Sequence, residues 1–179
     1  MTASDHQTDE HLAEERRPGD QLAEERNQKI QLYGDAYIKL IDALSQFPRE
    51  MWKYRPAPDR WSIHEIVIHI LDSEVNSYIR CRKCIAEPGS AVTAYDGDRW
   101  AVALNYHEQN LEDALDLFNW LRGRTYRLLL ALPDEVWSHT IEHPENGTMT
   151  LDDWLDVYAR HIPEHVEQMW AVYAAWIKA

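Results

Sequence analysis

Apolar residues recur at helical spacing in four long stretches, and the gaps between those stretches are rich in proline, glycine and polar residues. The first stretch carries Ile30, Tyr33, Tyr37, Leu40, Ile41 and Leu44 and stops near Phe47-Pro48. Ahead of it, Leu12-Ala13-Glu14-Glu15-Arg16 recurs as Leu22-Ala23-Glu24-Glu25-Arg26, with Pro18-Gly19 between the copies. Residues 1–19 are therefore expected to be a flexible or peripheral acidic arm. Asp20 is expected to cap the first helix of a single domain spanning 20–179. Pro48, Pro56 and Pro58 make the next segment a connector.

The second stretch opens on Ser62-Ile63-His64-Glu65, which fits a capping box, and runs to about Ala86. Glu65, His69, Asp72, Ser73, Asn76, Arg80 and Lys83 share one narrow stripe of that helix, and apolar residues fill most of the rest. Such a helix is expected to be wrapped by neighbours. Its stripe is then either a solvated face or the wall of a polar cavity.

Residues 88–106 read as a long connector, and Asn105-Tyr106-His107-Glu108 as the cap of a third helix carrying Leu111, Leu115, Phe118, Leu121, Leu128 and Leu129. Residues 137–151 read as a small hairpin turning at Asn146-Gly147. Thr150 and Asp153 form a second capping box, which starts a last helix running to Ile177. Four long helices with wide apolar faces and a small hairpin imply an all-α four-helix bundle, whose core commonly hosts metal sites.

Composition narrows the class. Hydrophobic residues make up 45% of the 179 positions, and the six glycines and eight prolines supply too few turns for an all-β fold. A net charge of −13 with no basic cluster disfavours nucleic acid and anionic membranes as partners. With no long apolar run and no signal-like N-terminus, a soluble cytoplasmic protein acting on a small molecule is expected.

The candidate chemistry lies in the last helix. His161 and His165 fall ~40° apart around a helix axis and ~6 Å apart along it, so both rings can meet one metal ion. The bland alternative is two unrelated histidines. A third ligand is needed from elsewhere, and spacing alone does not choose among His64, His69, His107, His139 and His143. His161-Ile162-Pro163-Glu164-His165 also spells an inverted zinc-peptidase pattern. That reading is rejected, because too little chain follows to supply the further acidic ligand. Pro163 removes a backbone hydrogen bond and is expected to kink the helix. Cys81 and Cys84 lie deep inside a helix, away from the terminus that would activate a thiol, and read as packing residues.

Trp61-Ser62 followed by His69-Ile70-Leu71-Asp72-Ser73-Glu74-Val75-Asn76-Ser77-Tyr78-Ile79-Arg80 resembles the second-helix signature of the DinB superfamily, and more narrowly its YfiT-like branch of metal-dependent hydrolases and bacillithiol S-transferases. Tyr95-Asp96 with Trp100, His143-Pro144 with Thr150-Leu151, and Tyr158 with His161 and His165 are similar to that branch's loop, hairpin and last-helix motifs. The resemblance covers roughly residues 30–175. It implies an up-down-down-up bundle and a divalent metal, nickel or zinc, held by His69, His161 and His165. It further implies a low-molecular-weight thiol as possible co-substrate and a homodimer. Asp72, Asn76, Arg80, Tyr95 and Asp96 become the expected substrate-side residues. The competing expectations are a non-catalytic metal-binding or stress-related protein, and a dimeric interaction module.

Overall fold

The computed structural model describes residues 18–179, so most of the expected N-terminal arm lies outside the described residues. Six α-helices and three short strands follow: α1 Pro18–Gly34, α2 Ala36–Ser45, α3 Ile63–Ala86, β1 Ser90–Ala91, α4 Gly97–Ala103, α5 Leu111–Leu129, β2 Thr140–His143, β3 Gly147–Thr150 and α6 Leu151–Trp176. The protein is a four-helix bundle in which α1 and α2 together make the first long helix. The chain steps at Asp35 between them. The preceding Gly34 lies so close to α5 that an added Cβ would stand 2.6 Å from the Tyr126 ring. Only glycine allows that approach. Pro18 and Gly19 are already helical, so Asp20 lies inside α1 and is not its cap.

Cross-helix contacts give the topology. Arg26 meets Asp152, and Phe47 packs on Trp170 and Tyr173, so α1–α2 and α6 run parallel. His64 meets Gln109 and Arg82 meets Thr125, so α3 and α5 also run parallel. Arg80 meets Tyr158 and His69 lies beside His165, so α3 and α6 are antiparallel. The order is up-down-down-up, and α3 and α6 share a seam.

Local signals explain where the long helices start. Ser62 caps α3 and Thr150 caps α6, each in a complete capping box, with Glu65 and Asp153 reaching back. The start of α5 corrects the sequence reading. Its cap is Asn110, while Tyr106–Glu108 form a 3₁₀ turn behind Asn105 at φ +50. The 88–106 connector also holds α4 and β1, the latter pairing in parallel with β2. β2 and β3 form the expected hairpin. Its turn is Pro144–Asn146, with Gly147 at φ +71 already opposite His143 as the first residue of β3.

The core has two main apolar bodies. One joins α2 to the N-terminal half of α3 and the C-terminal part of α6, around Leu40, Met51, Ile66, Phe118 and Met169. The other joins α1 to the C-terminal part of α3 and the hairpin, around Tyr33, Cys81, Trp137, Leu151 and Trp154. Tyr33 reaches across to a buried ion pair: Arg122 Nη2 lies 2.6 Å from Glu74 Oε2, and Tyr33 donates to Glu74 Oε1 at 2.6 Å. The Arg122 guanidinium also stacks on the Tyr33 ring at 3.8 Å and donates to the Tyr158 carbonyl. Cys81 and Cys84 are buried and unbridged. Burial pushes their thiols up to about 12 and about 11, which suits packing and not nucleophilic chemistry.

Candidate metal centre

The α3 stripe is neither fully solvated nor fully enclosed. Glu65 and Ser73 are buried, while His69, Asp72, Asn76, Arg80 and Lys83 are half-buried. The expectation that neighbours wrap the rest of α3 is corrected at Val75 and Ile79, which are 41% and 54% exposed. At the α3–α6 seam the stripe delivers His69 to the pair on α6. Nitrogens of His69, His161 and His165 all lie within 4.8 Å of one another. The His161 and His165 Nε2 atoms are 3.1 Å apart, and the His69 ring centroid lies 5.8 Å and 5.0 Å from theirs.

The four other histidines among the described residues stand apart from this trio, and three of them are hydrogen-bonded elsewhere. His64 Nε2 bonds the Gln109 carbonyl and His139 Nδ1 bonds the Ile85 carbonyl. His143 Nδ1 accepts from the Glu145 and Asn146 backbone, and His107 Nδ1 lies 4.0 Å from the Glu65 carboxylate.

The electrostatics of the trio suit a cation. Burial disfavours the imidazolium form and lowers the pKa of all three; His69 falls to about 3, helped by the nearby His165. At neutral pH the rings are thus uncharged, the form that donates a lone pair to a metal. His165 Nδ1 lies 2.9 Å from Gln168 Oε1. An amide oxygen only accepts, so Nδ1 carries the proton and Nε2 turns its lone pair toward His161. His69 Nδ1 is buried with no hydrogen-bond partner. Two facing ring nitrogens with a third imidazole nitrogen within 4.8 Å are what a divalent ion with nitrogen donors would satisfy.

The surroundings hold His69 in place. Trp61 packs on its ring at 4.6 Å between centroids, and Tyr95 stands 6.2 Å away. Gly97, the first residue of α4, comes so near that a Cβ there would lie 3.2 Å from His69 Cε1. Asp96 caps α4 by accepting from the Arg99 N–H at 2.9 Å and is exposed, so its role here is to place Gly97. Asp72, one turn beyond His69, accepts from the buried Tyr106 hydroxyl at 2.5 Å, and Asn76 donates to the Asp72 carbonyl at 2.8 Å. Tyr95 is half-buried, and the loss of water around its hydroxyl raises its pKa despite a hydrogen bond to Ser73. Arg80 reaches Tyr158, whose ring lies 6.0 Å from that of His161. Glu164 is exposed and α6 runs unbroken through Pro163, so the inverted zinc-peptidase geometry is absent.

The sequence reading missed Gln168 and Gly97. Gln168 lies one turn beyond His165, a spacing that pairs side chains on a helix, so it was findable. Gly97 is set by the path of a loop and has no local signal. Gln168→Leu is expected to weaken zinc or nickel binding by roughly 10- to 100-fold while leaving the helical circular dichroism unchanged, because it frees the His165 tautomer. Titration calorimetry on the metal-stripped protein measures this.

A four-helix bundle with three converging histidines on its seam is the frame of a DinB-like domain. The family model for the DinB superfamily matches residues 34–169, and the chain belongs to that superfamily. The "Putative metal-dependent hydrolase YfiT" of Bacillus subtilis is 27% identical over 154 residues, covering 85% of this chain and 86% of that protein. The "Putative metal-dependent hydrolase OB0782" of Oceanobacillus iheyensis is 30% identical over 106 residues, and the match spans 59% of this chain and 61% of that relative's length. The solved structure of YfiT, described as an unusual four-helix bundle topology, superposes with a TM-score of 0.76 at 25% identity, over 83% of this chain and 86% of that one. A mycothiol-dependent maleylpyruvate isomerase shares the fold, with a TM-score of 0.64 at 11% identity, over 80% of this chain and 60% of that one. Among the described residues no helix is long and apolar enough to cross a membrane.

Proposed function

We propose that this protein is a metal-dependent enzyme in which His69, His161 and His165 hold one divalent ion, zinc or nickel, and a small-molecule substrate reacts beside it. The convergence of three ring nitrogens within 4.8 Å carries the reading. The relatives named as metal-dependent hydrolases support it at the coarser level. When bound, a divalent ion with three histidine ligands lowers the pKa of a water or thiol in its open position.

The residues around the trio favour the thiol branch, a thiol S-transferase, over hydrolysis. Hydrolysis gains from a general base beside the attacking water. Asp72 is already bonded to Tyr106, Asp96 caps α4 and Glu164 is exposed. A thiol ionised by its coordination needs no such base. Trp61 and Tyr95 shield the His69 side of the site from water, and Gln168 holds the ligand tautomer.

The test begins with metal analysis of the purified protein, where about one zinc or nickel per chain is expected. Turnover is then measured with a low-molecular-weight thiol plus 1-chloro-2,4-dinitrobenzene, and separately with p-nitrophenyl acetate. Metal-dependent thiol consumption exceeding ester hydrolysis supports the proposal. Ester hydrolysis alone moves the assignment to a hydrolase. Stoichiometric metal with neither activity moves it to a non-catalytic metal-binding protein.

A further inference from the structure

The charge balance of the protein leaves a half-buried cation on the α3 stripe uncompensated. Arg26, Arg55 and Arg122 each face a carboxylate: Asp152, Glu65 and Glu74. Arg80 faces none within ion-pair distance among the described residues. Its Nη1 donates to the Tyr158 hydroxyl at 2.9 Å and its Nη2 to the Thr93 carbonyl at 2.5 Å, both uncharged acceptors. Its Nε is buried and has no partner. A guanidinium has five N–H donors, so most of this group's capacity is unspent. In a chain with 31 acidic and 18 basic residues, a charge removed from bulk water without a counter-charge is costly unless an anion joins it.

Arg80 also lines a cleft of about 320 Å³ between α3 and the strand β1. No carboxylate lines that cleft. Val75 and Ile79 from α3 and Val92 from the following loop give it apolar walls. These are the same two α3 residues whose exposure departs from the sequence expectation. Lys83 at the rim is already balanced by Glu87 at 3.0 Å. The cleft therefore offers apolar walls and one uncompensated positive charge.

We infer that this cleft binds the carboxylate of a small aliphatic acid, with the carboxylate on Arg80 and the alkyl chain against Val75, Ile79 and Val92. A single unbalanced charge matches a monoanion better than a phosphate dianion, which would bring excess charge near Glu87. The Arg80–Tyr158 hydrogen bond and the contact of Tyr158 with His161 join the cleft to the metal centre. Its role as the dock for a substrate's carboxylate rests on the metal-enzyme reading; binding of the acid itself does not.

Hexanoate is the probe, titrated into the folded protein by NMR with and without added zinc. Saturable binding is expected, with shifts concentrated at residues 75–83 and 91–93. Affinity should fall by about two- to fourfold for each methylene removed toward acetate. Arg80→Gln should weaken binding by roughly tenfold or more. Ile79→Glu changes an exposed position, puts a carboxylate into the cleft, and should weaken binding similarly with no loss of fold.

The inference is overturned if hexanoate does not saturate, if hexanol binds as tightly, if inorganic phosphate binds better, or if both variants bind hexanoate like the parent. The two readings fail separately. Metal uptake without hexanoate binding removes only this inference, and hexanoate binding without metal uptake removes only the metal enzyme.

Discussion

His161→Ala is expected to abolish stoichiometric metal binding while the bundle stays folded. His161 faces His165, with its Nε2 3.1 Å from His165 Nε2, and its ring lies 5.8 Å from that of His69. The two survivors lie on different helices, and two imidazoles alone do not complete a site for zinc or nickel. The affinity loss should exceed the roughly 10- to 100-fold cost of losing an orienting neighbour such as Gln168. Linkage supplies a second readout. At free metal a thousandfold above Kd, binding adds about 4 kcal/mol to the stability of the parent protein. For a domain of this size that is a Tm rise of roughly 10 °C. The parent should lose this increment in a chelator, and the variant should lack it with or without one. A variant that keeps one metal per chain would remove His161 from the ligand set.

The second large effect is on stability, far from any metal. Arg122→Ala should cost about 3–5 kcal/mol, because it strands Glu74 inside the bundle. Both side chains are only 1% exposed. Burial holds the Glu74 carboxyl above its ordinary pKa even with Arg122 beside it, and removing the guanidinium raises it further. The pH dependence follows from that direction. A carboxyl with a raised folded-state pKa costs least below its unfolded pKa, near 4.5, and its cost grows as pH rises through the folded value. The variant should therefore lose more stability than the parent between pH 5 and pH 8. Urea unfolding at both pH values measures this. Arg122→Met combined with Glu74→Met should recover much of the loss, since a similar apolar volume replaces the pair.

The features legible in the sequence were those with local causes. Ser62 with Glu65 and Thr150 with Asp153 signal helix starts within one turn of chain. His161 and His165 need only helical periodicity to face each other. The choice of His69 over His64, His107, His139 and His143 came from the family resemblance: His64, His139 and His143 bond to neighbouring carbonyls or backbone N–H groups, and His107 lies beside Glu65, contacts that spacing does not reveal. The buried Glu74–Arg122 pair was missed for a similar reason. Each residue sits among polar neighbours on its own helix, and only the packing of α3 against α5 and α1 turns both inward. β1 has two residues and exists because β2 lies beside it. The close approach of Gly34 to the Tyr126 ring on α5 is likewise a tertiary contact that the local sequence does not announce.

The contact between Trp61 and His69 gives the site an optical reporter of its own. An indole 4.6 Å from a candidate ligand ring lies close enough for an open-shell ion to quench its emission. Closed-shell zinc lacks the unpaired electrons for that route. Fluorescence from the native chain, compared with that of Trp61→Phe, would thus distinguish a nickel-loaded centre from a zinc-loaded one without any attached dye.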